Sequence, residues 1–219
     1  LKRLGTDYID VFFIHGVDPQ TPEEETLRAL DDLVTSGKIR YIGCSNLPAW
    51  RVMKSLSISE SLSLEKYVIY QGYYSLIGRD YESELMPLID DQKMGLMVWS
   101  PLGWGRLKGK IRKGKAVAEG RITSGGSVGG PDVDETFLQN VLDVLEQVEK
   151  ETGKSIPQIA LNWLLGRDTV SNIVIGARNE EQLIANVGAI DWSLTAEHRS
   201  LLDKVSEQKK LYPHWVGMR

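Results

Sequence analysis

The sequence predicts an α/β fold in which parallel strands alternate with crossover helices. Short apolar runs begin near residues 8, 39, 67 and 96. A segment of helical period lies between each consecutive pair. The spacing is about thirty residues, the size of one βαβ step. The steps do not repeat one another in sequence, so the period is architectural. Strands joined by crossover helices pair in parallel. A barrel and an open doubly wound sheet both fit this pattern.

The first strand lies in "YIDVFFIHGVDP". Tyr8 to Ile14 are apolar except for Asp10, which predicts a strand buried on both faces. His15 follows it. A histidine there fits a packed core residue, a metal ligand or a proton donor. In "TPEEETLRALDDLVTSGK", Thr21 is the expected cap, Pro22 suits the first helical position and Glu24 completes a capping box. Leu27, Leu30, Leu33 and Val34 share one face, and Gly37 supplies the stop. "IRYIG" then reads as a strand, "LPAWRVMKSL" as a helix and "KYVIYQ" as a strand. "YESELMPLIDDQK" reads as a helix with Pro87 as a potential kink, and "GLMVWS" as the next strand.

The rhythm breaks at residues 103–133, a long glycine-rich segment in which residues 106–121 hold seven Lys or Arg and one acid, Glu119. It fits a flexible solvated loop. It fits equally a loop that covers a phosphate-bearing ligand, with glycines for close approach and cations for charge. Order resumes with a helix carrying Phe137, Leu138, Val141, Leu142, Leu145 and Val148 on one stripe and stopped by Gly153. Ser155 and Gln158 form a capping box for the next helix. "NIVIGA" reads as a fifth strand, followed by a helix capped by Asn179 and a last helix from about Thr195 to Val205. No linker interrupts the chain, so residues 1–219 read as one domain.

The chain has 219 residues, 42% hydrophobic and 26% charged, enough for a sizeable core. A net charge of −4 gives no sign of nucleic-acid or membrane binding. The one cysteine, Cys44, has no internal partner, which makes a reducing cytoplasm the expected location. His15, His198 and His214 are not spaced as metal ligands, so no metal site is expected. No GxSxG elbow occurs.

Two features point toward a ligand. "NIVIG" leads into a helix N-terminus at 179, which can hold an anion on backbone N–H groups, and Arg178 at the turn can pair with phosphate. There is no GxGxxG fingerprint. A plain strand-to-helix turn with a surface arginine fits as well. Four successive strands also end in hydrogen-bonding residues: His15, then Ser45 and Asn46, then Gln71, then Trp99 and Ser100. Ligands of parallel α/β proteins bind at those strand ends. Ser45 and Asn46 also fit as helix caps, and Trp99 as core.

The stretch from "LKRLGTDYIDVFFIHGVDP" to "IRYIGCSN", with "YQGYYSL", "VWSPLGWGRLKGK" and "IVIGARNEEQLIANVGAIDWSLT", closely resembles the aldo-keto reductases. The resemblance implies a (β/α)8 barrel that binds NADP(H) and reduces aldehydes and ketones to alcohols. It implies that His15 orients and polarises the substrate carbonyl. Ser45, Asn46 and Gln71 match positions that hydrogen-bond the nicotinamide carboxamide, and Trp99 the aromatic that stacks on the nicotinamide ring. Ser100, Pro101, Leu102, Gly103 and Trp104 match the loop along the pyrophosphate, and Lys110 and Arg121 its cationic clamps. Gly176, Arg178, Gln182 and Asn186 match the site of the adenosine and its 2′-phosphate. Ala185 stands where family members often have a glutamate, which weakens one adenine contact, while Arg178 still favours NADPH over NADH.

The family's catalytic set adds an aspartate, a proton-donating tyrosine and a lysine to the histidine. None of the three has a match in this chain, and five visible strands fall short of the eight of a barrel. The expectation is an incomplete barrel that lacks the family's first three strands. Tyr73 and Tyr74 are conceivable substitute donors, with no lysine placed beside them in sequence to lower the pKa. Open sheet edges should promote self-association. The expected activity is NADPH-dependent carbonyl reduction on a small carbonyl substrate. The alternatives are a non-catalytic NADP-binding or interaction protein and an inactive fragment.

Overall fold

The computed structural model describes residues 1–109 and 130–216. The elements are β1 (Ile9–Ile14), α1 (Glu23–Thr35), β2 (Ile39–Ser45), α2 (Ala49–Leu62), β3 (Tyr67–Tyr73), α3 (Tyr81–Asp91) and β4 (Gly95–Trp99). They continue with α4 (Glu135–Thr152), α5 (Ile156–Leu165), β5 (Val170–Ile173), α6 (Glu180–Val187) and α7 (Ala196–Val205). The five strands form one parallel sheet in the order β1-β2-β3-β4-β5. A doubly wound sheet reverses its strand order at a switch point. This order never reverses, which is the winding of a barrel. The chain divides into two compact units, residues 1–72 with 84–97 and residues 73–83 with 98 onward.

In the first unit α1 packs on α2 and β2. Leu27 and Leu30 are buried on the face expected of them. Phe13 of β1 lies opposite Gly43 of β2. A Cβ on Gly43 would sit 2.6 Å from the Phe13 ring and 2.9 Å from Ile69 Cγ2, so only glycine lets those side chains close over β2. Two expectations fail here. β1 is not buried on both faces: Asp10 and Phe12 are exposed and none of its residues is fully buried. Its position at the end of the strand order explains this, because a terminal strand is covered from one side only. Thr21 does not cap α1. Its hydroxyl donates to Asp18 Oδ2 at 2.6 Å, and Pro22 occupies the cap position.

In the second unit α4 packs on α5 and α7, and α5 packs on β5 and α6. Val141, Leu142, Leu145 and Val148 bury the α4 stripe against a core that includes Ile156, Ile159, Trp163 and Leu202. The Trp163 indole N–H donates to Asp203 Oδ1 at 2.8 Å. Arg167 pairs with that same carboxylate. Arg79 donates to both Glu82 oxygens, to the Asp203 carbonyl and to Ser206 Oγ, all at 2.8 Å, and so ties the chain after β3 to the end of α7. The buried Asn162 amide donates to the carbonyls of Ala189 and Trp192 and accepts from Leu194 N–H. Buried amides persist only when satisfied in this way. Asn179 caps α6 as expected, accepting from Gln182 N–H, and Thr195, where the last helix is expected to start, caps α7 by accepting from His198 N–H. Gln158 closes its side of the Ser155 box at 3.0 Å. The fifth strand ends at Ile173, earlier than expected, and residues 174–179 run as a connection to α6.

Candidate functional site

The first unit presents three strand ends. His15 leaves β1 exposed, and its carbonyl accepts a hydrogen bond from Asn46 Nδ2 at 2.9 Å. Asn46 adopts a left-handed φ of 57°, a conformation asparagine tolerates better than most side chains. Ser45, beside it, is 1% exposed, and its hydroxyl has no hydrogen-bond partner among the described residues. The Gln71 amide at the end of β3 donates to Met97 Sδ at 3.0 Å, a weak acceptor. His15 also lines a cavity of about 370 Å³ with Phe12, Leu47, Tyr67, Arg51 and Glu23. Glu23 accepts from Lys54 Nζ at 2.9 Å and from Arg51 Nε at 2.7 Å. Those two bonds, Lys54 first, hold its carboxyl down to about 2.

The second unit holds a cavity of about 300 Å³. Its wall joins Ser100, Pro101, Leu102 and Trp104 to Gly176, Arg178, Gln182 and Asn186. Eight residues that the sequence resemblance grouped thus meet around one space. Gly103 does not line it. Gly103 is buried in the turn, where a Cβ would sit 2.4 Å from Ile77 Cδ1. Lys110 and Arg121 lie outside the described residues, as does most of the 103–133 segment.

Three features of this cavity depart from the sequence reading. Val174 and Ile175, expected in a strand, are part of its wall. Lys108 lines it too, and sequence reasoning did not single it out. The run of cations contained that residue but carried no sign of which one reaches the site. Finally, the backbone donors before α6 are partly engaged: Arg178 N–H donates to Gln182 Oε1 at 3.1 Å, and Gln182 N–H to Asn179 at 3.0 Å. The cationic side chains in the wall are those of Arg178 and Lys108.

Beside this wall stand three aromatic rings. Tyr73 and Trp99 are 5.4 Å apart, Tyr73 and Trp104 4.7 Å, and Trp99 and Trp104 5.3 Å between centroids. The Trp99 indole N–H is buried with no partner among the described residues. Tyr73 shares a hydrogen bond with Ser75 Oγ at 3.0 Å, and burial raises its pKa. Tyr74 is a core residue, 1% exposed, whose hydroxyl donates to Glu82 at 2.6 Å. Burial raises its pKa as well, which makes both tyrosines poorer proton donors than an ordinary phenol.

Within the second unit, the phosphates of a dinucleotide fit this cavity in kind, because the side chains of Arg178 and Lys108 line its wall. A space of about 300 Å³ is at the lower end for ligand pockets and holds only part of such a molecule. No helix among the described residues is long and apolar enough to cross a membrane.

The chain matches the Aldo/keto reductase family model over residues 1–207. It is 34% identical over 194 residues to a probable voltage-gated potassium channel subunit beta of Oryza sativa subsp. japonica, covering 87% of this chain and 59% of that one. It is 34% identical over 194 residues to L-glyceraldehyde 3-phosphate reductase of Escherichia coli, covering 87% and 56%. It is 33% identical over 222 residues to an NADP(+) aryl-alcohol dehydrogenase of Phanerodontia chrysosporium, covering 98% and 56%. The chain spans a little over half the length of these curated relatives.

The depressed Glu23 carboxyl gives a pH test. A folded pKa of about 2 against an ordinary 4.5 stabilises the fold fully above pH 4.5, and that contribution drains as pH falls toward 2. Glu23→Gln should lower the urea midpoint at pH 6, and the gap to wild type should narrow steadily below pH 4.5. A gap that does not change with pH would contradict this.

Proposed function

The chain belongs to the aldo/keto reductase family, and from that premise we propose that it binds NADP(H) and serves carbonyl reduction. The observation that carries the reading is the convergence of the Ser100–Trp104 turn with Gly176, Arg178, Gln182 and Asn186 on one cavity. β4 and β5 are neighbours in the sheet, so packing alone brings their ends together; what packing does not require is a partly polar wall with two cations, which suits a ligand with phosphates. In this reading Arg178 and Lys108 pair with phosphate oxygens. Gln182 and Asn186 hydrogen-bond the adenosine, Ser100, Pro101, Leu102 and Trp104 follow the pyrophosphate with Gly103 buried in the turn behind them, and Lys110 and Arg121 add charge to it.

The remaining strand-end residues take the reactive half of the cofactor. Ser45, Asn46 and Gln71 hydrogen-bond the carboxamide, and Trp99 stacks on the nicotinamide. The cofactor, when bound, supplies the hydride. His15 orients the substrate carbonyl and polarises it by a hydrogen bond. The aspartate, tyrosine and lysine of the family set have no match among these 219 residues. We therefore assign dinucleotide binding to the chain, and carbonyl reduction to a catalytic set of which His15 is one member.

A second reading is a non-catalytic nucleotide-binding or interaction subunit. One relative carries the name of a channel subunit, which favours keeping it in view. Under both readings we place the chain in the cytoplasm as a single partial barrel domain that self-associates. Its exposed apolar side chains support that last point: Tyr8, Phe12 and Tyr41 in the first unit, and Leu183, Ile184 and Val187 on α6 in the second.

Calorimetric titration should detect NADP⁺ binding to the chain. Arg178→Ala should weaken it by about tenfold, on the order of 1.4 kcal/mol, and weaken NAD⁺ binding less. Absence of NADP⁺ binding, or an equal loss for both dinucleotides, would count against the 2′-phosphate assignment. Light scattering on the eluting chain should report a mass above that of one copy, and a clean monomer would remove the self-association proposal.

A further inference from the structure

The first unit holds a cavity that the cofactor reading does not use, the space of about 370 Å³ beside β1. Its wall comes from two layers. The strands supply Phe12, Ile14 and Tyr67, and the helices supply Thr26 of α1 and Ser55 of α2. The three strand residues share one face of the sheet. Phe12 and Ile14 lie opposite Ile42 and Cys44, and Tyr67 lies opposite Ile42 on the other side. Side chains alternate between faces along a strand. Ser45 and Gln71, each one position on from the Cys44–Tyr70 pair, therefore belong to the opposite face. The cavity lies under α1 and α2, across the sheet from those carboxamide positions. His15, at the exit of β1, is the one residue it shares with the catalytic assignment.

Two hydroxyls mark this cavity as a site. Ser55 is 2% exposed and Tyr67 3%. Neither hydroxyl has a hydrogen-bond partner among the described residues. Buried polar groups are ordinarily paired. Equally buried counterparts in the same two elements are paired here. Ser59, one turn further along α2, donates to the Glu65 carbonyl at 2.9 Å, and Tyr70 of β3 donates to the Leu47 carbonyl at 2.8 Å. The unpaired members are the ones that line the cavity. Burial raises the Tyr67 pKa, so its phenol stays a neutral group able to donate and to accept.

The charged side chains of the wall are already committed. Arg51 donates to Glu23, which Lys54 also holds, and Asp18 accepts from the Thr21 hydroxyl and from Gln20 N–H. An ionised ligand would lose water and meet charges of both signs already paired. Phe12, Ile14 and Leu47 add apolar surface. We infer that this cavity is a second ligand site, and that it takes uncharged ring-sized molecules carrying one hydroxyl, phenol being the simplest. The ligand hydroxyl bonds Ser55 Oγ and Tyr67 Oη, and its ring lies on the apolar wall. The inference is independent of the dinucleotide reading and stands or falls without it.

The test is ligand-observed NMR on the 219-residue chain near neutral pH, with phenol, toluene, benzoate and benzylamine. The four probes share a benzene ring and differ in the head it carries. Phenol should bind about fivefold or more tightly than each of the others. Ser55→Ala and Tyr67→Phe should each weaken phenol about threefold or more and leave toluene unchanged. Both variants also report on the empty chain. Removing a hydroxyl that has no partner should leave the urea midpoint level or raise it, whereas a fall would show that the hydroxyl is paired within the fold and would overturn the inference. It is overturned equally by no binding of phenol, by toluene or a charged probe binding as tightly, by phenol affinity that survives both variants, or by variants that weaken phenol and toluene alike.

Discussion

The turn that leaves β4 is the constraint on which the second unit's site depends. Ser100, Gly103, Trp104 and Gly105 all take positive φ values, 50°, 53°, 56° and 92°. For the two residues with side chains this costs on the order of 1–2 kcal/mol each. Backbone bonds from Gly103 N–H to Ser100 O and from Gly105 N–H to Leu102 O, both 2.9 Å, hold the reversal. Buried Leu102 and Leu107 anchor it from below. A chain relaxed to ordinary φ values there would lose the wall of Ser100 to Leu102 and would carry the Trp104 indole away from Trp99 and Tyr73. The cavity and the aromatic cluster are thus two consequences of one strained reversal.

Solvent treats the exposed cations at the cavity and the buried polar groups of the strand ends differently. The cations at the cavity can draw a phosphate in from solution, but salt screens exposed charge within about 8–10 Å. The buried donors behave differently. Ser45 Oγ in the first unit and Trp99 Nε1 in the second have no partner among the described residues. Each is covered by protein and lines neither cavity, so an acceptor reaches it only if its surroundings move. Cys44 illustrates the contrast. Its thiol is buried in β2 and pushed up to about 12 by that burial, which makes it an inert core group.

What the sequence made legible follows from how local each signal is. The α4 stripe, the cap at Asn179 and the start of α7 near Thr195 could be read because helix period and cap chemistry act within a few residues. The burial of β1 could not, because it depends on what lies beside the strand in the sheet. Thr21 was misread for a subtler reason: Asp18, three residues earlier, competes for its hydroxyl. At the site, physical reading alone reached Arg178, the start of α6 and the polar strand ends. The grouping of Ser100 to Trp104 with Gly176, Gln182 and Asn186 needed the family resemblance, since no local rule joins segments so far apart. Lys108 and the partnership of Tyr73 with the two tryptophans were beyond both, because each depends on the path of the strained turn.

The central claim is that the turn after β4 and the connection into α6 hold a dinucleotide between them. Hydrogen–deuterium exchange with and without NADP⁺ tests it most directly. The account predicts added protection at residues 100–108 and 174–186. No added protection in these two segments at a saturating concentration would contradict it.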